Sequence, residues 1–230
     1  MDVSDCISVV PFWGRPEVTK IFCQNMEDIG LKFIAVLSPD DPENKEIVFN
    51  YAHDIITTRN ITGEKWELGT RLLEREEFEY FILLGSDDLI SHRYFTDFLF
   101  RHQIKYMGLI DAVAMDLNTK KFRYWGGYKN ERIGEPIGPA RAIHKDILEE
   151  LSYILFPAVT SGTIDVYSHK RILTCFNDGY FATSDMRPYR IGIKSGHEIS
   201  KLPDNPFIFD IDLEGFYSPK VIELLGLYQE

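Results

Sequence analysis

The chain has 230 residues, 44% apolar and 27% charged, which suits an ordinary globular domain with a substantial core. Its formal charge of −11 argues against a nucleic-acid or anionic-membrane partner, since both need a basic footprint. Cys6, Cys23 and Cys175 lie far apart without a CxxC pair, so reduced buried thiols are expected rather than a disulfide framework or a zinc site.

The first residues, MDVSDCISVV, carry acid rather than a basic leader, and no apolar run approaches the roughly 18 residues of a membrane span. A cytoplasmic protein without an integral membrane segment is expected. Ile7 to Phe12 reads as a buried strand, and Gly14-Arg15-Pro16 turns the chain into a helix with Pro16 near its first position. Val18, Ile21, Phe22, Met26 and Ile29 form the apolar stripe of that helix, and Gly30 closes it. Leu31 to Ser38 is a second strand, ending in the turn Pro39-Asp40-Asp41-Pro42 before a helix around Ile47, Val48 and Tyr51. A short strand at Ile55 to Thr58 and a helix marked by Trp66, Gly69, Leu72 and Leu73 follow.

Tyr80 to Ser91, YFILLGSDDLIS, is an apolar run that stops at two adjacent aspartates. Such a run reads as a strand buried on both faces, with Gly85, Ser86, Asp87 and Asp88 at its carboxyl end, where open α/β sheets bind ligands. Two neighbouring carboxylates repel unless a cation or water screens them, so the pair reads as a hard-metal site or a solvated turn. Ser91 is then the expected N-cap of a helix burying Tyr94, Phe95, Phe98 and Leu99. Strand and helix thus alternate four times in the first hundred residues, the signature of a parallel, helix-covered sheet.

The second half differs. Leu109 to Leu117 alternates, and Phe122 to Tyr128 has glycines at a bend, so antiparallel or edge strands are expected. His144 to Leu155 reads as helical, Phe156 to Gly162 as a loop. A helix near Asp165, a strand at Arg190 to Lys194 and a terminal helix after Ser218-Pro219 complete the pass. With no repeat or low-complexity linker, one domain is expected: an α/β fold with a mostly parallel sheet flanked by helices and antiparallel edge strands in the second half.

A short strand running into Arg-Pro, alternating β/α units and an apolar strand ending in Ser-Asp-Asp resemble the GT-A glycosyltransferases, family 2-like, over roughly residues 7 to 175. The resemblance implies a nucleotide-sugar-binding half (1–105) and an acceptor-binding half (106–230). Members show Asp-x-Asp or Asp-Ser-Asp-Asp at the metal strand; here Gly85 stands at the first position, closer to the shortened Thr-Asp-Asp form. It implies that Asp87 touches ribose or metal, that Asp88 ligates the metal, and that Mg²⁺ or Mn²⁺ bridges the diphosphate and stabilises its departure. Pro11, Phe12, Arg15, Asp40, Lys65 and Ser86 would join Asp87 around the nucleotide sugar. Each has an ordinary reading too: Arg15 as a surface arginine, Asp40 and Asp41 as a proline-flanked turn, Lys65 and Arg71 as exposed helix charges. Leu68-Gly69-Thr70 also stands where many relatives carry Ala-Arg-Asn.

By the same resemblance Asp165, early in a late helix, would be the general base, although aspartate is also a favoured first-turn residue. His197 would be a third metal ligand or a surface histidine. Trp125 and Gly126 would offer a sugar a flat, closely approached surface, or form a core tryptophan beside a bend. PFIFDIDLEG, with Asp210 and Asp212, looks like the nucleophile strand of a haloacid-dehalogenase phosphatase, but that fold needs most of its chain after this point and only 213–230 follows. A second metal site or an acidic turn fits it better. The implied activity is transfer of a sugar from a UDP-, GDP- or dTDP-linked donor to a glycan or other hydroxyl acceptor, with inversion. The alternatives are a nucleotidyltransferase, for which PFWGRPE is poor in glycine, and a lapsed protein that only binds nucleotide sugar or glycan.

Overall fold

The computed structural model describes residues 1–156, 164–176, 178–184, 188–195 and 213–227. The central strand β1 (Cys6–Pro11) is apolar on both faces and buried up to Pro11, so it needs a paired strand on each side. It pairs in parallel with β2 (Lys32–Leu37) and β4 (Tyr80–Leu83), and β3 (Asp54–Thr57) extends β2 in the same sense. Helical connections supply the cover. Helix α1 (Pro16–Ile29) starts on a proline, whose missing N–H is no loss in the first turn, and ends at Gly30 with φ +74°. Helix α2 (Pro42–Val48) is capped by Asp41, whose side chain accepts from Asn44 N. Helix α3 (Thr62–Leu72) crosses β1 and β2 at Gly69, where a Cβ would lie 2.2 Å from Val9 Cγ1. That close approach explains the glycine in Leu68-Gly69-Thr70.

Beyond Leu83 the chain departs from a single long strand. The segment Leu84–Asp87 turns, and Asp88 opens β5 (Asp88–Ile90), which belongs to a second sheet. A π-helical stretch, Tyr94–Leu99, runs into the short helix α4 (Phe100–His102). Ser91 stands just before these helical residues, but its buried Oγ meets no partner among the described residues, so the side-chain cap is not made. The alternating run at 109–117 is likewise divided, between β6 (Tyr106–Leu109) and β7 (Ala112–Asp116), which enter different sheets. Strand β8 (Phe122–Trp125) pairs antiparallel with β7.

Strand β9 (Arg141–His144) was not expected. It inserts antiparallel between β4 and β6 and leads into α5 (Lys145–Glu150). After α6 (Ile164–Cys175) come β10 (Phe181–Thr183), also unexpected, then β11 (Arg190–Lys194) and α7 (Pro219–Leu224), capped by Ser218. The large sheet runs β10-β6-β9-β4-β1-β2-β3 and the small one β5-β11-β7-β8. This is the mixed, mostly parallel α/β architecture expected, and the large sheet draws strands from both halves of the chain.

Strand alternation separates the two faces of the large sheet. Val10, Phe12, Phe33 and Ile82 pack with Phe22, Met26 and Tyr94 on one face, while Ile7, Val9, Phe81 and Ile143 pack with Trp66, Leu148 and Phe156 on the other. Val18 and Ile21 of α1 also pack with Leu89, Ile191 and Val221, so α1 lies between the large sheet and the small one. Among the described residues no helix is long and apolar enough to cross a membrane.

Candidate active site

The turn after β4 sits at the carboxyl edge of the parallel strands, where backbone groups leave the sheet and must find other partners. Gly85 N–H donates to Asp88 Oδ2 at 2.7 Å, and Asp88 N–H returns to Gly85 O at 3.1 Å. A Cβ on Gly85 would lie 3.0 Å from Asp87 Oδ1 and 3.1 Å from Asp88 Oδ2. Both carboxylates therefore fold back over residue 85, and a side chain there would have to displace them by a few tenths of an ångström. The glycine suits this tight turn.

The two aspartates have different surroundings. Asp88 is buried and forms an ion pair with Arg190 across the β5–β11 pair, while its other oxygen takes the Gly85 N–H. Gly192, opposite Asp88, makes room for this: a Cβ there would lie 2.7 Å from Arg190 Nη2. Asp87 is more open. Lys194 Nζ approaches its Oδ2 at 3.1 Å and Arg15 Nη1 the same oxygen at 3.5 Å. Burial pushes the Asp87 carboxyl upward, but Lys194 and Arg15 outweigh it and hold it below the ordinary aspartate value. Arg15 Nη2 also lies 3.5 Å from Ser86 Oγ. Arg15 has a left-handed backbone, φ +54°, at the start of α1, which turns it back over the motif. Arg15, Ser86, Asp87 and Asp88, named from the sequence, are brought together here, whereas Arg190 and Lys194 were expected only as parts of a strand.

The end of β1 contributes differently from expectation. The Phe12 ring is fully buried against Phe22 and Phe33, so Phe12 offers the site only its carbonyl, and Pro11 is the last strand residue. The exposed aromatic there is Trp13, 46% accessible. Lys65 is buried rather than a solvated helix charge; its Nζ donates to Phe12 O at 2.6 Å and Asn60 Oδ1 at 3.0 Å and lies 5.7 Å from the centre of the Trp13 ring. Burial pulls the Lys65 amine down to about 8. Arg71 is the exposed charge, paired with Glu67. Asp41 is occupied as the α2 cap and by Gly14 N–H, whereas Asp40 is exposed.

Asp165 reaches the same sheet edge through Arg141. Arg141 pairs with Leu83 at the carboxyl end of β4, is fully buried, and donates from Nη1 to the Asp165 main-chain oxygen at 2.6 Å. The Asp165 carboxylate accepts from Tyr128 Oη and lies 3.6 Å from Arg132 Nη2. Burial pushes this carboxyl upward; the Tyr128 hydrogen bond, Arg141 and Arg132 outweigh it and leave it below the ordinary value. Trp125 packs edge-on against Tyr128 with centroids 5.1 Å apart, so Trp125 and Asp165 are brought together through a residue that sequence reasoning passed over. Trp125 is part-buried and Gly126 exposed. His197, Asp210 and Asp212 lie outside the described residues.

No protein-family model and no curated protein sequence matches the chain. Among solved structures, Staphylococcus aureus TarS residues 1–349 superposes with TM-score 0.54 at 16% identity, covering 84% of this chain and 60% of that one. The fold is GT-A-like. Glucosyl-3-phosphoglycerate synthase of M. tuberculosis also matches, at 12% identity and TM-score 0.48, over 86% of this chain and 73% of that one. So does the inositol-1-phosphate CTP transferase of T. maritima, at 12% identity and TM-score 0.43, over 96% and 95%. The chain thus spans about three-fifths of the TarS fragment. In GT-A terms, the Gly85–Asp88 turn lies at the end of the strand that the sequence resemblance picked out.

Among the described residues no group of three or more His, Cys, Asp or Glu side chains is placed to hold a metal. Magnesium, however, is commonly held by one or two carboxylates together with substrate phosphates and water. The donors on Asp87 converge on Oδ2, so Oδ1 is the oxygen of the turn that suits such a shared cation.

Proposed function

We propose that the protein is a transferase that moves a sugar from a nucleoside diphosphate donor to a hydroxyl acceptor, with inversion at the sugar carbon. The observation that carries this reading is the placement of the Ser86-Asp87-Asp88 turn and of Asp165 at one sheet edge, joined through the Leu83–Arg141 pair and the Arg141–Asp165 hydrogen bond. Asp87, through Oδ1, would hold Mn²⁺ or Mg²⁺ together with the donor diphosphate, whereas Asp88, expected as the direct ligand, has one oxygen on Arg190 and the other on the Gly85 N–H and would brace the turn; when bound, the cation supplies charge stabilisation to the departing diphosphate. Arg15 and Lys194 add positive charge beside the same carboxylate. Trp13 and Asp40 flank the end of β1 as surfaces for the base, with Lys65 bracing the strand end beneath them.

Asp165 takes the proton of the acceptor hydroxyl as that oxygen bonds to the sugar carbon; the bond to the diphosphate breaks and its electron pair leaves with the nucleotide. A carboxyl held below the ordinary range is ionised at neutral pH, the state a general base requires. Trp125 and Gly126 border this side and would meet the acceptor. Titration calorimetry with UDP, GDP and dTDP, each with and without Mn²⁺, tests the reading. Binding of at least one nucleotide is expected, and failure of all three would overturn it. Assay of nucleoside diphosphate against pyrophosphate release separates glycosyl from nucleotidyl transfer.

A further inference from the structure

Asp165 is held from several elements, and the contacts are not symmetrical about its carboxylate. Tyr128 Oη donates to Oδ2, and Arg132 Nη2 lies 3.6 Å from that same oxygen. Arg132 is itself fixed, by bonds of 2.7 and 2.6 Å to Glu135 and by stacking at 3.4 Å over the Tyr128 ring. The main chain of Asp165 is fastened separately: its carbonyl accepts from Arg141 Nη1 at 2.6 Å and from Ser168 Oγ at 3.0 Å. Gly138 packs so closely that a Cβ there would lie 3.0 Å from Asp165 Cβ. The side chain nevertheless remains 33% exposed.

Tyr128 is equally constrained. Trp125 meets its ring edge-on at 5.1 Å. The preceding residue, Gly127, has φ +86°, and a Cβ there would lie 2.0 Å from Ile110 O. Only glycine fits both the backbone angle and the approach, and this directs the chain so that the tyrosine ring faces α6.

We propose that Tyr128 is the positioning residue for the base: its hydroxyl fixes Asp165 through Oδ2 and leaves Oδ1 as the atom that takes the acceptor proton. The inference rests on the reading of Asp165 as general base. Without the hydroxyl, a part-exposed carboxylate turns about its side-chain bonds and presents either oxygen in several directions; with it, one oxygen is anchored and the other is aimed. The charged and titratable groups facing Asp165 are Tyr128, Arg132 and Arg141, with Glu135 behind both arginines; His169, one turn along α6, faces Tyr106 instead. Burial and the Asp165 charge push the Tyr128 phenol upward, so the donor keeps its proton across the working range.

The test compares full-length wild type, Tyr128→Phe and Asp165→Asn. Release of nucleoside diphosphate is followed against pH with UDP-, GDP- and dTDP-glucose as donors and methyl glucoside as acceptor. The Asp165 carboxyl is titrated separately by carbon NMR without donor. For Tyr128→Phe, kcat should fall roughly ten- to hundred-fold with KM for donor unchanged, as expected when a reacting group loses its alignment. The acidic limb of the rate profile and the NMR midpoint should both move to higher pH. A Tyr128→Phe protein with wild-type kcat and an unmoved acidic limb, beside an inactive Asp165→Asn protein, would overturn the inference and leave the base reading standing. Turnover by Asp165→Asn at the wild-type rate would overturn the base reading itself.

Discussion

Replacing Arg190 by methionine removes one half of a buried ion pair whose side chains are only 7% and 3% exposed. Removing one partner from such a pair strands the other charge in a low-dielectric site, which costs about 3–5 kcal/mol. The Gly85 N–H remains on Asp88 Oδ2 and offsets part of this, so a loss near the lower end, about 3 kcal/mol, is expected. For a chain of this size that corresponds to a fall in melting temperature of roughly 6–12 °C. The Asp87–Lys194 contact is the internal control: its side chains are 19% and 14% exposed, and Lys194→Met should cost only about 1 kcal/mol. Urea unfolding at pH 7 measures both, with unchanged denaturant slopes as the check that only stability moved. The double variant Asp88→Asn/Arg190→Met should be more stable than Arg190→Met alone, because residue 88 no longer carries a buried charge that has lost its arginine. Gly192→Ala should perturb the same pair in the same direction but by less than Arg190→Met, since its Cβ would lie 2.7 Å from the guanidinium, the movable end of that side chain. A loss below about 1 kcal/mol for Arg190→Met, or a double variant less stable than the single, would refute the account.

Gly69→Ala should destabilise by about 1–3 kcal/mol through overpacking on Val9 and Val36, despite alanine's higher helix propensity, and calorimetry would show a lowered melting temperature. Lys65 titrates at about 8 when folded against 10.5 when free, so the unfolded chain holds the extra proton between these values. Its contribution should therefore make stability rise with pH across that window, and Lys65→Met should remove this component of the slope in unfolding curves. His169, lowered by burial to about 4 from 6.5, contributes stability that is complete above 6.5 and is lost as pH falls through about 4. His169→Gln should lessen the acid sensitivity measured between those values.

The first hundred residues were legible because their signals are local. Pro16 and Gly30 bracket α1, and the apolar runs of β1, β2 and β4 are uninterrupted. Strand β9 was hidden because Arg141, a charged residue buried completely, broke its apolar pattern; its guanidinium is satisfied by carbonyls of Pro136, Ile137 and Asp165 that no local rule anticipates. Strand β10 spans only Phe181–Thr183, too short for alternation to show. The Gly85–Asp88 turn could be found from sequence, but its partners Arg190 and Lys194 are 102 and 107 residues away, and pairing at that range is set by strand order rather than composition. Tyr128 escaped for the same reason: a tyrosine beside two glycines looks like a bend residue until α6 is placed against it.

Asp88 ends the turn and begins a strand of another sheet, so its carboxylate ties two sheets together whether or not any reaction occurs. A descendant of this protein that had lost all turnover would still be under pressure to keep Asp88, Arg190 and Gly192, because the fold would suffer without them. Finding the doublet in a related chain is therefore weak testimony of activity. Asp87 is more open and held by longer contacts, so under the proposed function it, rather than Asp88, is the position whose replacement would be informative about activity.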